Sequence, residues 1–117
     1  MTAKDIMLDD LVFLNSEVTK ITPTLLEMIS ELDQHDPFGL INGLDPIDLS
    51  PEFFEKNGFV QEDRNAWRIP GLKENFRLFQ WGNGSWSIED HVLIEVRAVH
   101  ELQHLFKMIG LRIELVV

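Results

Sequence analysis

The segment from Ser50 to Phe59 carries the most complete set of local folding signals in the chain, because it specifies both ends of one helix. Ser50 is a residue type that caps helices, and Pro51 is pre-organised for the first helical position. Asn57-Gly58 is typical of a helix end, since glycine adopts the left-handed conformation without a steric penalty. Phe59 can then fold back onto Phe54 in a Schellman-type stop. A short capped helix is therefore predicted here.

The residues before this helix predict a β-hairpin and then a second helix. Leu11–Leu14 and Val18–Ile21 are short β-prone runs, and the polar residues 15–17 between them suit a tight turn. Thr22-Pro23 is typical of a helix start. The apolar residues that follow fall on one side of a helix ending near Gln34: Leu25, Leu26, Met28, Ile29 and Leu32. A strand at residues 25–29 stays open as an alternative, because short apolar runs fit both periods.

A surface loop is predicted at residues 35–49, which contain two Asp-Pro pairs and one Asn-Gly pair. After the capped helix, residues 66–69 and 75–81 predict strands. Residues 82–85 predict a hairpin turn in which Asn83-Gly84 supplies two positive φ angles. That register places Trp81 opposite Trp86, and Phe79 opposite Ile88.

One long helix is predicted from about Glu89 to Ile109, a run free of glycine and proline. Its apolar residues form one broad arc at 3.6-residue periodicity: Val92, Val96, Val99, Leu102, Leu105, Phe106 and Ile109. Gly110 ends it, and Leu111–Val117 predicts a closing strand. The predicted class is α+β: an N-terminal β-hairpin or small barrel-like sheet, a short capped helix, and an antiparallel meander packed on one long C-terminal helix.

Composition predicts one soluble cytoplasmic domain over residues 1–117. The chain has no apolar run long enough to span a bilayer and no cysteine, so thiolate metal sites and disulfides are excluded. The net charge of −10 lies entirely in residues 1–66, where fourteen acids face four bases, while residues 67–117 hold six of each. A polyanionic first half argues against direct contact with nucleic acid or an anionic membrane.

The sequence His100-Glu101-Leu102-Gln103-His104 matches the H-E-x-x-H pattern of zinc hydrolases, on a predicted helix. There, two histidines one turn apart bind zinc and the glutamate acts as general base. Against this interpretation, no third ligand follows at the expected spacing, and Arg97 and Lys107 flank the histidines. The histidines are also predicted to lie on the polar face, in open solvent. A minimal zinc-dependent hydrolase using His100, His104 and Glu101 therefore remains the alternative, with zinc its only cofactor.

Three blocks of the chain resemble a family of small uncharacterised proteins of Bacteroidota genomes, phages and integrated elements. Leu49–Phe59, read as L-S-P-E-F-F-E-K-N-G-F, resembles the family's L-T-P-E-I-L-E-K-N-G-F, and Val99–Leu105 resembles its V-H-E-L-Q-N/H-L helix. Ala3–Val12 is similar to the opening D-L-M-x-G-D-W-V, with Asp10 at the family Asp and Asp9 where the family has Gly. In such relatives the positions of Glu101 and His104 are often Gln and Asn. The resemblance therefore implies that the motif does not form the active site of a zinc hydrolase.

The resemblance implies an accessory role in a phage or mobile element, exercised by binding a protein. By analogy, small acidic accessory proteins can block host defence machinery such as a CRISPR effector nuclease. We expect a non-enzymatic protein that needs no cofactor and whose partner is basic. The candidate contact residues lie on or beside the loop: Asp33, Asp36, Asp45 and Asp48. A homodimer through the Trp81/Trp86 face is a further possibility.

Overall fold

A computed structural model describes residues 1–35, 41–70 and 77–117, which form two antiparallel sheets and three α-helices. The predicted α+β class is confirmed. The chain divides into two compact units, Met1–Ile47 and Asp48–Val117, because most contacts lie within each of these ranges.

The first unit is a small open sheet accompanied by one helix. Its elements are a 3₁₀ turn at Ala3–Asp5, β1 at Leu11–Leu14, β2 at Glu17–Lys20, α1 at Pro23–His35 and β3 at Leu44–Asp45. The strand order is β2-β1-β3, with both pairs antiparallel. The strand β3 lies inside the predicted loop and was not expected, because two residues are too short to show a period.

The predicted N-terminal hairpin is confirmed. Asn15 and Ser16 form its turn with φ angles of 51° and 69°, so both central residues are left-handed, as a type I′ turn requires. The second strand begins at Glu17, one residue before the prediction. Gly43 lies beside this turn, where its carbonyl accepts the Asn15 N–H at 2.7 Å. A Cβ at Gly43 would overlap the Asn15 side chain, which favours glycine at this position.

Residues 23–35 are helical, so the alternative of a strand at residues 25–29 is wrong. The Thr22 hydroxyl accepts the Leu25 N–H at 3.2 Å and caps the helix, with Pro23 at the first position. Ile29 is buried in the apolar cluster of this unit, and Leu25 and Leu26 pack against it. The other buried members of that cluster are Ile6, Val12, Ile21 and Leu44.

The second unit is an antiparallel meander with two helices. Its elements are α2 at Pro51–Lys56, β4 at Val60–Asp63, β5 at Ala66–Arg68, β6 at Arg77–Gln80, β7 at Trp86–Ile88, a 3₁₀ turn at Glu89–His91 and α3 at Val99–Met108. The strand order is β4-β5-β6-β7. The strand β4 was not predicted, because its four residues are all exposed and give no alternation of polar and apolar side chains.

Both predicted ends of the capped helix α2 are confirmed. The Ser50 hydroxyl accepts the Phe53 N–H at 3.1 Å, and Pro51 is the first helical residue. Gly58 has a φ of 76°, and the Phe59 N–H donates to the Phe54 carbonyl at 2.9 Å. These contacts are those of a Schellman stop.

The Phe54 ring, fully buried, is the centre of an aromatic cluster. Its centroid lies 5.7 Å from that of Phe59, 5.4 Å from that of Trp67 and 4.8 Å from that of Trp86. These distances are typical of stabilising aromatic pairs. The cluster therefore joins α2 and its stop to β5 and β7.

The predicted register of the second hairpin is wrong by one residue. Gln80, not Trp81, lies opposite Trp86, and Leu78, not Phe79, lies opposite Ile88. The Trp81 N–H donates to the Ser85 carbonyl at 2.8 Å, so residues 82–84 form a three-residue loop. Gly84 is left-handed with φ 89° but Asn83 is not. A type I turn followed by a left-handed residue is common in such loops, and a slip of one residue moves side chains to the opposite face.

The long C-terminal helix is about half as long as predicted, since α3 covers only Val99–Met108. Before it the chain is extended: Val96 exchanges two backbone hydrogen bonds of 2.8 Å with Trp86. Val96 and Ala98 are buried whereas Glu95 and Arg97 are exposed, which is the period of a strand. Apolar residues at 92 and 96 fit both the helical and the strand period, so they were wrongly assigned to the helix.

The predicted closing strand, Leu111–Val117, pairs with none of the strands that the structure describes. Instead the Asn57 side chain binds its backbone, donating from Nδ2 to the Val116 carbonyl at 2.9 Å and accepting the Val116 N–H at 2.8 Å. Leu115, the neighbouring residue, is buried. One amide side chain thus supplies the pair of hydrogen bonds that a neighbouring strand would make.

The left-handed conformation of Gly58 at the end of α2 can be tested by substitution. We expect Gly58→Ala to lower the free energy of unfolding by about 1 kcal/mol, because its φ of 76° is unfavourable for a residue with a Cβ. Gly82→Ala is the matched control, since both sites have no atom within 4 Å of the added Cβ but Gly82 is not left-handed. Urea denaturation measures both; equal stabilities of the two variants would contradict the prediction.

Candidate functional site

His100 and His104 lie one turn apart on α3, with ring centroids 5.6 Å apart and the rings edge to face. His100 is only 6% exposed and His104 is half-buried, so the prediction that the pair lies in open solvent is wrong. The reason is the position of the helix start. Because α3 begins at Val99, its first turn follows the buried Ala98, and Val99, His100 and Leu102 are buried together.

Glu101, the residue between these histidines in the motif, caps the helix. Its carboxylate accepts the backbone N–H groups of Arg97 and Ala98, both at 3.0 Å. A carboxylate at this third helical position satisfies donors that the helix leaves unpaired and offsets the positive end of its dipole. The sequence signal for this role is a glutamate three residues after a helix N-cap. Because the helix was predicted to start at Glu89, Glu101 was placed in the helix interior and the signal was missed.

The motif residues therefore form a capped helix start and an edge-to-face pair of imidazoles. Within residues 1–35, 41–70 and 77–117, no group of three or more His, Asp or Glu side chains is placed to hold a metal ion. The Glu101 oxygen that accepts the two backbone hydrogens is directed along the helix toward its N-terminus. In a zinc hydrolase, by contrast, that carboxylate faces the water on the metal.

The cap predicts a stability defect when Glu101 is changed. We expect Glu101→Ala to lower the free energy of unfolding by about 1 kcal/mol, because two backbone donors lose their acceptor. Glu101→Gln should retain part of that stability, since an amide oxygen still accepts. Glu114→Ala, at an exposed site, is the control in the same denaturation experiment. A Glu101→Ala variant as stable as this control would show that the cap contributes nothing.

The four predicted partner-binding acids occupy different parts of the fold. Asp45 is exposed on β3 in the first unit, and Asp48 is exposed in the second, where its backbone forms a bridge with Ala98. Asp33 lies in α1, but its side chain lies outside the described residues, as does the whole of Asp36. The first unit as a whole holds nine acids and two lysines.

Trp81 and Trp86 do not share a face, as a consequence of the register. Trp86 is buried, with 4% exposure, whereas Trp81 is 41% exposed and lies against Phe79, with 5.0 Å between ring centroids. The apolar surface proposed for a homodimer therefore loses Trp86. Leu93, in the segment between β7 and α3, is 95% exposed.

Two buried serines of β7 and its turn form a polar network that the sequence did not predict. The Ser87 hydroxyl accepts the Trp81 indole N–H and donates to the Ile94 carbonyl, both at 2.8 Å. The Ser85 hydroxyl donates to Glu95 at 2.5 Å, and the Asn83 amide donates to the same oxygen at 3.2 Å. These bonds fix the extended segment before α3 to the hairpin. Ser85 and Ser87 are therefore structural.

The hydrogen bonds from Ser85 and Asn83, together with the positive charge of Arg97, hold the pKa of Glu95 below its ordinary value of 4.5. The ionised form is thus favoured in the folded state, so its stabilising effect is present above pH 4.5 and is lost as the pH falls through the lowered pKa.

Glu95→Gln should therefore lower the melting temperature at pH 7, and its difference from the wild type should shrink below about pH 4. Thermal melts at a series of pH values measure this, with Glu114→Gln as the control for removal of an exposed carboxylate. A difference that does not depend on pH would contradict the assignment.

Comparisons with protein-family models, with curated proteins and with solved structures find no match. Among the described residues, none of the helices is both long enough and apolar enough to cross a membrane.

Proposed function

We propose that this chain is a non-enzymatic accessory protein that acts by binding a basic protein partner. The observation that carries the proposal is the excess of acid in the first unit, where nine acids accompany only two lysines. Glu17, Glu27, Glu31 and Asp45 are exposed, and none of them forms an ion pair in the described part of the chain. Such a surface attracts a cationic partner over about a Debye length.

The second unit gives the contrast that supports this interpretation. Glu62 bridges Arg68 at 2.8 Å and Arg77 at 3.2 Å, and Arg77 also contacts Glu89 at 3.1 Å. Charges on this sheet therefore compensate one another within the unit. Exposed ion pairs of this kind contribute little to stability, but they leave less uncompensated charge for a partner.

The resemblance to Bacteroidota, phage and mobile-element proteins supports an accessory setting. Asp9 stands where the family block has glycine, and its φ of 70° is the conformation that glycine favours. A host defence nuclease such as a CRISPR effector is a fitting partner, because such enzymes bind the nucleic acid backbone through Lys and Arg. An acidic protein surface can occupy the same cations.

The role of Glu101 supports a non-enzymatic function. Its carboxylate already binds two backbone N–H groups, those of Arg97 and Ala98. The part of the motif that a hydrolase needs for catalysis thus has a structural use.

The test neutralises the predicted contact residues together. We expect the variant with Asp33, Asp36, Asp45 and Asp48 changed to Asn to bind a purified CRISPR effector nuclease about tenfold more weakly, since each exposed charge contributes about 0.3–0.5 kcal/mol. The dependence of the dissociation constant on salt should also flatten. Calorimetry at a series of salt concentrations provides both values.

The matched control removes the same charge from exposed sites of the second unit other than Asp48, by changing Glu52, Glu55, Asp63 and Glu114 to their amides. Its affinity should stay close to that of the wild type. No binding by the wild-type protein at low salt, or the same loss in both variants, would count against the proposal.

A further inference from the structure

Some apolar residues of the helix α1 pack in the core of the first unit, and others are exposed to solvent. Leu25, Leu26 and Ile29 belong to or pack against the apolar cluster of the first unit. Met28 and Leu32 do not, and they are 57% and 54% exposed. They lie one turn apart, so they form a short exposed apolar row along the side of the helix.

Acidic side chains lie beside this row. Glu27 and Glu31 are exposed, and Glu31 lies about 60° around the helix from Met28. The helix contains no lysine or arginine. Two like charges one turn apart destabilise an isolated helix by about 0.2–0.5 kcal/mol, so the pairing of Glu27 with Glu31 does not stabilise the helix.

We infer that the outer face of α1, formed by Met28, Leu32, Glu27 and Glu31, binds an amphipathic helix of a protein partner whose apolar row is flanked by lysine or arginine. This inference rests on the proposed function and identifies the binding element of the partner. Met28 and Leu32 are four residues apart, a spacing by which one helix packs against another, and the acids select basic flanks. The flexible methionine side chain suits such a surface.

Charge argues against other occupants of this face. A second copy of the chain would bring Glu27 and Glu31 close to identical acids, which costs free energy. An anionic membrane or a nucleic acid backbone would be repelled for the same reason. A basic helix is the occupant whose charge complements the face.

A synthetic amphipathic peptide of leucine and lysine, with leucine in one helical row, is the probe. Its binding to the full chain is measured by fluorescence anisotropy, beside a peptide in which glutamate replaces lysine. We expect the lysine peptide to bind and the glutamate peptide not to bind. The variant Met28→Gln with Leu32→Gln should weaken binding at least about tenfold, since apolar burial is lost while helix propensity is kept.

The matched control is Val92→Gln with Leu93→Gln, which also removes two exposed apolar side chains, but in the second unit. It should bind the lysine peptide as the wild type does. Glu27→Gln with Glu31→Gln should flatten the salt dependence of binding. Circular dichroism checks that each variant is folded.

Two results overturn the inference: unchanged binding by the Met28/Leu32 variant, or an equal loss in the Val92/Leu93 control. The proposed function fails separately, because its test uses the aspartates and a nuclease rather than this face and a peptide. If the aspartate variant weakens the nuclease complex while the α1 variant behaves as the wild type, the function stands and this assignment falls.

Discussion

Burial of the Phe54 ring is the interaction on which the second unit depends. The helix that carries it has only six residues, too few to be stable in water without tertiary contacts. Its ring meets Phe59, Trp67 and Trp86, which come from the helix stop and from two strands of the meander. The cap at Ser50 and the left-handed Gly58 set the direction in which the chain enters and leaves this cluster. Local backbone signals thus place one side chain at the centre of the core.

The segment before α3 depends on the same cluster through Trp86. The Trp86 backbone pairs with Val96, and the serines on either side of it bind Glu95 and the Ile94 carbonyl. These bonds keep residues 94–98 extended and determine where α3 can begin. The position of that start, in turn, buries His100 and turns Glu101 toward the backbone of Arg97 and Ala98. The environment of the motif is therefore decided by a hairpin some fifteen residues earlier.

Sequence reasoning succeeded where the signal was local. The ends of α2 and the first hairpin follow from residue types within a few positions, so they could be predicted to within about one residue. It failed where tertiary pairing chose between two possible periods, as at residues 92–98, or where one extra loop residue changed a register. For the candidate site, the motif residues were found but their burial and capping were not. Both depend on the helix start, which no local signal marked strongly.

The hydrogen bonds that close the two units span different stretches of the chain, and this difference bears on the order of folding during synthesis. In the first unit the amino group of Met1 binds the Leu44 carbonyl, and the buried cluster lies between Ile6 and Leu44. Everything this unit needs has been translated by residue 47. The two hydrogen bonds between the Asn57 side chain and the Val116 backbone join residues 59 apart. They cannot form until the last residues of the second unit leave the ribosome. Since contacts close in sequence form faster, we expect the acidic unit to fold first on the nascent chain.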